Sequence, residues 1–273
     1  VVRTTHHTLV FDTGPTFLGG FNTGEAVLVP YLREQGLNRI DTLILSHGDQ
    51  DHAGGFAGLA GKVPIGRILA GESPEHRAGL RLESCLAGQG WNWDGVDFRV
   101  LHPPRAGLRG NDSSCVLRLA TQGASLLLVG DLGQVPEKQL ARHANLAATL
   151  LVAGHHGSNN SSSTEFLAAV APSWVLYSSG FINRFGFPSL PVRERVAATG
   201  ARELNTAETG AIGFVLTATG IDGPELFRYL YQFPLEQGSP LQGKPEDPGH
   251  VGRVKREQEI PDIGSSDRGW KSQ

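Results

Sequence analysis

No stretch of this 273-residue chain approaches the roughly 18 consecutive apolar residues of a membrane-spanning helix, and no secretory leader pattern opens it at Val1. The fragment therefore reads as soluble. Cysteine is nearly absent: Cys85 and Cys115 match no zinc-ribbon spacing and are too few for a disulfide framework, which leaves a single bridge between them open. A strong charge imbalance is missing too. With a formal net charge of -3 the chain exerts no global pull on polyanions, so nucleic acid would need a local basic patch or a metal ion. No repeat of fixed period runs through it. What remains is ordinary globular usage, 39% hydrophobic and 19% charged, with 36 glycines that predict many turns and close backbone approaches. The length suits one large domain, or a domain with an extension.

Short apolar runs recur, each closed by a polar or glycine-rich turn: "HTLVFDTG" (7–14), "IDTLILSHG" (40–48), "VDFRVLHP" (96–103), "SCVLRLA" (114–120), "ASLLLVGD" (124–131), "ATLLVAGHH" (148–156), "SWVLYSSG" (173–180) and "GAIGFVLT" (210–217). Length, β-branched content and boundaries predict strands. Helices are expected over 30–36, 74–90, 135–143, 163–172 and 190–200, with Gly36 and Gly200 at C-caps and Ser163 with Glu165 at an N-terminus. The runs 114–120 and 124–130, joined by "TQG", predict a hairpin, whereas later strands alternate with helices. A mixed α/β sandwich follows. The pattern fades near 219, so residues 1–218 are expected to form the domain and 219–273 an extension, of which 235–273 is a flexible tail rich in Gly, Pro and charge.

Chemistry-bearing side chains sit at the ends of four of these runs. Asp12 follows "LVF", the cluster His47, Asp49, Asp51 and His52 follows "LIL", Asp131 follows "LLLVG", and His155 and His156 follow "LLVAG". In α/β sheets, sites form beyond the carboxyl ends of strands, where loops converge on a rigid support. Any one such residue is more often a turn or a cap, and it is the repetition that points to metal ligation. Within 47–52, a loop entering a helix can turn His47 and Asp49 to one side and Asp51 and His52 to the other, feeding two metals that Asp131 bridges. Gly54 and Gly55 then let backbone approach closely.

"SHGDQDHAGG" resembles the HxHxDH signature of the metallo-β-lactamase superfamily, with "FDTG", "VGD" and "GHHGS" in that superfamily's order. Together with "VPYLREQGLNRIDTLILSHGDQDHAGG", "GNDSSCVLRL", "LLVAGHHGSNNSSS" and "NRFGFP", the chain resembles the C-terminal hydrolase-like domain of the ComEC family of competence proteins, over about residues 7 to 217. The resemblance implies a metallo-β-lactamase-like αββα sandwich whose opening strand, with its "DVGQG" motif, is truncated before Val1. It implies a metal-dependent nuclease that degrades one strand of incoming DNA, carried as a soluble domain on the periplasmic side of a bacterial inner-membrane protein. Its expected partners are DNA and the membrane channel portion of the same protein. Ligands would be His47, Asp49, Asp51, His52, Asp131 and one of His155 and His156, with His156 the expected ligand and the other His free to donate a proton; Asp51, His155 and His156 are the expected catalytic residues. Asp12, Asn111, Asp112, Ser114, Ser158 and Asn183 are further candidates.

Three positions depart from the family pattern. Asp49 stands where the superfamily has its second His, and this harder donor shifts preference from zinc toward manganese or magnesium. "GNDSS" stands where a further His is expected, so Asn111 or Asp112 would fill that place weakly. Phe187 replaces the imidazole of the family's NRYGHP stretch, which implies impairment if that His ligates or donates a proton. Among smaller features, His6 and His7 read as solvent-facing, Trp91 and Trp93 as packing or as base-stacking residues, "SNNSSSTEF" as an N-cap or a phosphate cradle, and Arg253 with Lys255 and Arg256 as solvated charge. Two other functions stay open: a non-catalytic domain that guides DNA beside the channel, and a metallohydrolase of small esters, lactams or choline phosphodiesters. Deleting residues 235–273 is expected to leave fold and metal binding nearly unchanged, because that tail lacks periodic apolar positions. A large drop in melting temperature on truncation would count against this.

Overall fold

The computed structural model describes residues 1–72 and 79–230. Two sheets dominate. The first has the order β1 (Val2–Arg3), β2 (Thr8–Phe11), β3 (Ile40–Leu45), β4 (Ile65–Ala70) and β5 (Glu83–Ser84), parallel except for the edge pair β1–β2. The second runs β12 (Arg202–Asn205), β11 (Trp174–Tyr177), β10 (Leu150–Val152), β9 (Ser125–Leu128), β8 (Val116–Ala120), β7 (Val96–His102) and β6 (Gly90–Trp93). It is parallel from β12 to β9 and antiparallel from β9 to β6, which includes the hairpin expected at 114–130. A separate antiparallel ribbon pairs β13 (Ile212–Leu216) with β14 (Ile221–Leu226).

The period-2 alternation of strand side chains explains the layering. In β2, β3 and β4, Leu9, Ile44 and Leu69 face the second sheet, where they meet Phe98, Leu117 and Leu128. Their neighbours Val10, Leu43, Leu45 and Ile68 face outward onto α1 (Val29–Glu34), α2 (Gln50–Ala53) and α3 (Phe56–Ala60) through Leu32, Phe56 and Leu59. On the second sheet, Val116, Leu127, Leu151 and Val175 turn the other way, onto α4 (Gln134–His143), α5 (Thr164–Val170) and α6 (Leu190–Ala197). Helices, sheet, sheet, helices is the αββα sandwich. Each fully buried Leu or Ile contributes about 1.5–3 kcal/mol relative to exposure, so both faces of each sheet must be covered.

Some expectations are corrected. The helix expected over 74–90 is absent from its described part: residues 79–90 hold β5, a turn and the first residue of β6, while 73–78 lie outside the described residues. Gly79 and Gly88 adopt positive φ, and Cys85 N–H bonds the Ala70 carbonyl as an extended strand does. Cys85 is also disulfide-bonded to Cys115, both fully buried, which ties the edge of one sheet to the start of β8 in the other. Closing a loop of sequence separation 30 contributes about 3–4 kcal/mol in the chain-entropy account. β4 and β12 escaped the apolar-run reading because Gly66 and the charged Arg202 and Glu203 interrupt them. The boundary expected at 218 falls inside the β13–β14 ribbon, whose two strands need few apolar positions to pair; the tail expected over 235–273 lies outside the described residues.

One buried charge stands out from this framework. Glu137 of α4 has no exposed surface, and its two carboxylate oxygens accept the N–H groups of Ser162 and Ser163 at 2.7 and 2.8 Å, fixing the entry to α5. Burial pushes this carboxyl up to about 7 from an ordinary 4.5, against the pull of those N–H groups. A folded value above the unfolded one means that the stability it contributes is complete below pH 4.5 and is lost as pH rises through about 7. Relative to Glu137→Gln, the wild type should lose up to about 3 kcal/mol across that window. Urea denaturation at several pH values checks it, and parallel pH profiles for the two proteins would contradict it.

Candidate metal centre

The centre lies beyond the carboxyl ends of β2 and β3 in one sheet and of β9 and β10 in the other. Asp12 leaves β2 with φ 59. Residues 46–49 leave β3 and enter α2, which carries Asp51 and His52, and the short helix is admitted by a backbone with no side chains in the way. A Cβ on Gly55 would collide with the Thr13 carbonyl and Gly24 N, and one on Gly54 would strike Gln50 O and Thr16 N. Asp131 follows β9 through Gly130, whose positive φ and contact with Ser46 and Ser114 exclude a side chain. His155 and His156 occupy a 3₁₀ turn, Gly154–Gly157, after β10, both at positive φ (50 and 55).

Four of the expected residues meet. Asp51, His52, Asp131 and His156 place one potential ligand atom each within 4.8 Å of all the others. His52 Nε2 lies 3.0 Å from Asp131 Oδ1 and 3.2 Å from His156 Nε2, and His156 Nε2 lies 3.4 Å from Asp51 Oδ2. The hydrogen bonds behind these rings decide what the inward atoms are. His52 Nδ1 donates to Asp12 Oδ2 at 2.8 Å, and His156 Nδ1 donates to the Ser178 carbonyl at 2.7 Å. In the neutral rings both Nε2 atoms are then bare lone pairs, turned toward two carboxylates. Four acceptors around one point repel unless a cation stands among them. Asp131 Oδ1 accordingly has no hydrogen-bond partner despite its 3.0 Å approach to His52. Two imidazoles and two carboxylates suit a divalent metal.

Electrostatics tells the same story in terms of protons. Burial opposes charge on His52, yet the Asp12 carboxylate, and then Asp131, raise it well above 6.5. Burial likewise opposes charge on His156, but the Asp51 carboxylate, 3.4 Å from its Nε2, raises it. The His156 ring in turn holds Asp51 below the usual carboxylate range, and His52 does the same for Asp131 against its burial. Protons thus take up the role that a cation fills.

The remaining expected residues fall around this group. His47 is fully buried; burial and then the charge of His52 keep it neutral. Ser46 Oγ gives its single proton to Asp12 at 2.8 Å, so His47 Nδ1 donates to that hydroxyl at 3.0 Å and leaves Nε2 bare and unpartnered, 3.5 Å from the exposed Asp49 carboxylate. His47 and Asp49 therefore form a flanking pair of donors outside the four-residue group. His155 Nε2 is 3.7 Å from Asp131 Oδ2, and its Nδ1 is 3.3 Å from the Asn111 amide nitrogen. Asp12 acts behind His52, and Ser114 accepts the Asp131 N–H at 3.1 Å, so both position members of the four-residue group. Ser158 shapes the turn by donating its N–H to the His155 carbonyl, and Asn183 pins a loop near Phe187. Asp112 is exposed, its charge felt by His102. Phe187 stands edge-on to His155 at 6.0 Å and is not in the four-residue group. Three contributors were not foreseen: Ser46, the Ser178 carbonyl, and Glu72, which accepts the Gly110 N–H at 2.7 Å and steadies the turn that carries Asn111. Only Ser46, beside the signature, left any mark in the sequence.

Elsewhere the plainer readings hold. His6 and His7 pair with Asp94 at the surface, Trp91 stacks on Phe98 at 5.2 Å, and Ser163 caps α5 by accepting the Phe166 N–H.

A family model described as the metallo-beta-lactamase superfamily matches residues 1–175. Among curated proteins, Competence protein ComA of Neisseria gonorrhoeae is 44% identical over 234 residues, which is 85% of this chain and 32% of that protein. Recombination protein 2 of Haemophilus influenzae is 34% identical over 205 residues, 75% of this chain and 26% of that protein. ComE operon protein 3 of Bacillus subtilis is 31% identical over 209 residues, 71% and 27% respectively. The chain thus spans between 26% and 32% of the length of these relatives.

Asp12→Ala removes no atom of the four-residue group but frees the His52 ring, and is expected to weaken divalent-metal binding by about 10- to 100-fold. Because a bound ion would displace protons from His52 and His156, whose affinity for protons the neighbouring carboxylates raise, metal affinity should fall as pH drops. Calorimetric titrations at several pH values, in buffers of differing ionisation enthalpy, measure both. Unchanged affinity in Asp12→Ala, or binding without proton release, would contradict the assigned tautomers.

Proposed function

We propose that this chain, which belongs to the metallo-β-lactamase superfamily as a ComEC-like domain, is a divalent-metal-dependent phosphodiesterase that hydrolyses one strand of DNA during its uptake. The observation that carries the reading is the convergence of Asp51, His52, Asp131 and His156 with bare acceptor atoms inward. The superfamily is hydrolytic, and the names of the curated relatives concern competence and recombination. Phe187 does not weaken the case, since the four donors assemble without an imidazole at that position.

Manganese is the favoured ion, because carboxylates make up half of the group and Asp49 adds another oxygen donor; zinc and magnesium are the runners-up. His47 and Asp49 would hold a second ion beside the first, with Asp131 shared. Bound there, the cations would supply Lewis acidity toward water and toward the phosphate. The chain's own residues do the rest. Asp51, the exposed member of the group, faces the side from which water and substrate arrive. His155 receives the Asn111 amide at Nδ1 and so keeps its proton at Nε2, on the same side as Asp131 Oδ2, where it can pass to a leaving oxygen.

The buried Cys85–Cys115 disulfide favours an oxidising compartment, which supports the periplasmic face of the inner membrane and the channel portion of a longer chain as neighbour. Among the described residues no helix is long and apolar enough to cross a membrane. The test is cleavage of linear DNA by purified protein with added manganese, zinc or magnesium. Manganese should support the fastest cleavage, and Asp131→Ala should abolish it while the protein stays folded. Wild-type protein inert on DNA with every one of these ions, or a folded Asp131→Ala variant with full activity, would remove this reading.

A further inference from the structure

The segment 178–189 both begins and ends on the turn that carries His155 and His156. Its first carbonyl, Ser178 O, accepts the His156 Nδ1 proton at 2.7 Å, and Ser189 N–H bonds the Gly157 carbonyl at 2.9 Å. Between these anchors the loop is pinned by Asn183. That amide donates to the Phe187 carbonyl at 2.9 Å and the Gly180 carbonyl at 3.2 Å, and accepts the Phe187 N–H at 2.7 Å. A loop held this way has its side chains preorganised, yet it presents Phe181, Ile182 and Phe185 with 73%, 90% and 64% of their surface exposed. Fixing large apolar groups in water is unfavourable unless they meet something.

The side chains are ordered as well as exposed. The Arg184 guanidinium lies 4.8 Å over the Phe185 ring, Phe185 stacks on Phe187 at 5.4 Å with 17° between planes, and Phe187 meets His155 edge-on at 6.0 Å. Cation, ring, ring and imidazole thus form a file that leads from solvent to the metal centre. Phe181, beneath the Arg228 guanidinium at 5.2 Å, flanks it. An Arg stacked on a ring keeps its N–H edge free for a phosphate, while the aromatic surface beside it suits a flat base. Lipid contact would favour the apolar side chains but gives no reason for the ordered Arg–Phe file.

Resting on the phosphodiesterase reading above, we propose that the 181–187 loop is the base-stacking wall of the substrate path. In this arrangement Phe185 and Phe181 receive an unpaired base next to the phosphodiester at the metal centre, and Arg184 holds a neighbouring phosphate. Stacking of this kind reads the π-face that every base has, so it selects single-stranded over duplex nucleic acid without selecting sequence.

The test is binding of a fluorescent single-stranded oligodeoxynucleotide to the full chain by anisotropy, with calcium replacing manganese so that no cleavage intervenes. Phe185→Ala should weaken binding by about 5- to 100-fold, the range for loss of one base–aromatic stack. Phe185→Trp should restore it and show indole quenching on binding, and Phe185 is exposed enough for both variants to fold. An oligonucleotide made wholly of abasic sites should bind wild type and Phe185→Ala alike. Equal binding of the normal oligonucleotide by wild type and Phe185→Ala overturns the proposal. So does an equal loss on the abasic strand, which would leave the loop a surface for lipid or for the rest of a longer chain. If wild-type protein binds the strand through Phe185 but cleaves no DNA with manganese, zinc or magnesium, the phosphodiesterase reading fails and the stacking wall stands.

Discussion

The Asp12 carboxylate holds the Nδ1 proton of His52 at 2.8 Å, and the rest of the centre depends on which nitrogen this leaves bare. With Nδ1 occupied, Nε2 faces Asp131 and His156 as a lone pair, and the Ser178 carbonyl imposes the same choice on His156. Ser46 extends the logic: its hydroxyl is spent on Asp12, so His47 too must turn its bare nitrogen inward. One carboxylate at the end of β2 therefore sets the protonation pattern of two histidines on the neighbouring segment. The low polarity of a buried site makes these assignments stiff, since moving either proton inward would take it from the Asp12 carboxylate or the Ser178 carbonyl that now accepts it.

Such an arrangement needs backbone that ordinary strands and helices do not supply. Asp12, His155 and His156 all sit at positive φ, a region that costs a non-glycine residue about 1–3 kcal/mol. Neighbouring bonds over-determine them: Asp12 N–H bonds the Ile44 carbonyl, His155 N–H the Gly130 carbonyl, and Ser158 N–H closes back on His155. The turn splays two consecutive imidazoles to 6.5 Å between centroids and 74° between planes, so that adjacent residues acquire different surroundings, one against Ser178 and one against Asn111. Two sheets share the expense, since the strained positions lie at strand ends whose registers are held by the core between them.

Much of this was readable before any coordinates. Apolar runs ending in His or Asp located β2, β3, β9 and β10 and thereby the four converging residues, because strands buried on both faces have near-continuous apolar sequence that stops where the chain reaches the site. The described part of the interval 74–90, residues 79–90, misled because its charged and apolar residues mimic helical spacing, while the sheet bond and disulfide of Cys85 are long-range facts invisible to a local window. The sequence could not show the different surroundings of His155 and His156, or that Asp12 and Ser114 stand behind the four-residue group instead of within it. Those roles turn on single hydrogen bonds to Ser178, Asn111, His52 and Asp131 N–H, formed by groups that occur everywhere in proteins. Phe187 could be read from the sequence only against a family pattern; in space it meets the edge of His155 and stacks on Phe185.

The link between Cys85 and Cys115 encloses β6, β7 and the 110–113 turn that holds Asn111 against His155. Topologically that region is a closed ring. A protease that nicked any one peptide bond between the two cysteines would open the ring without releasing a fragment, because each new end stays covalently attached through the sulfur bridge. The surface turns of this region, such as that at Asp94 and Gly95 or the stretch 104–109, can therefore be cut while both pieces remain where the sheet pairing put them. Among the described residues, this is the one part of the molecule in which the continuity of the main chain is backed by a second covalent path.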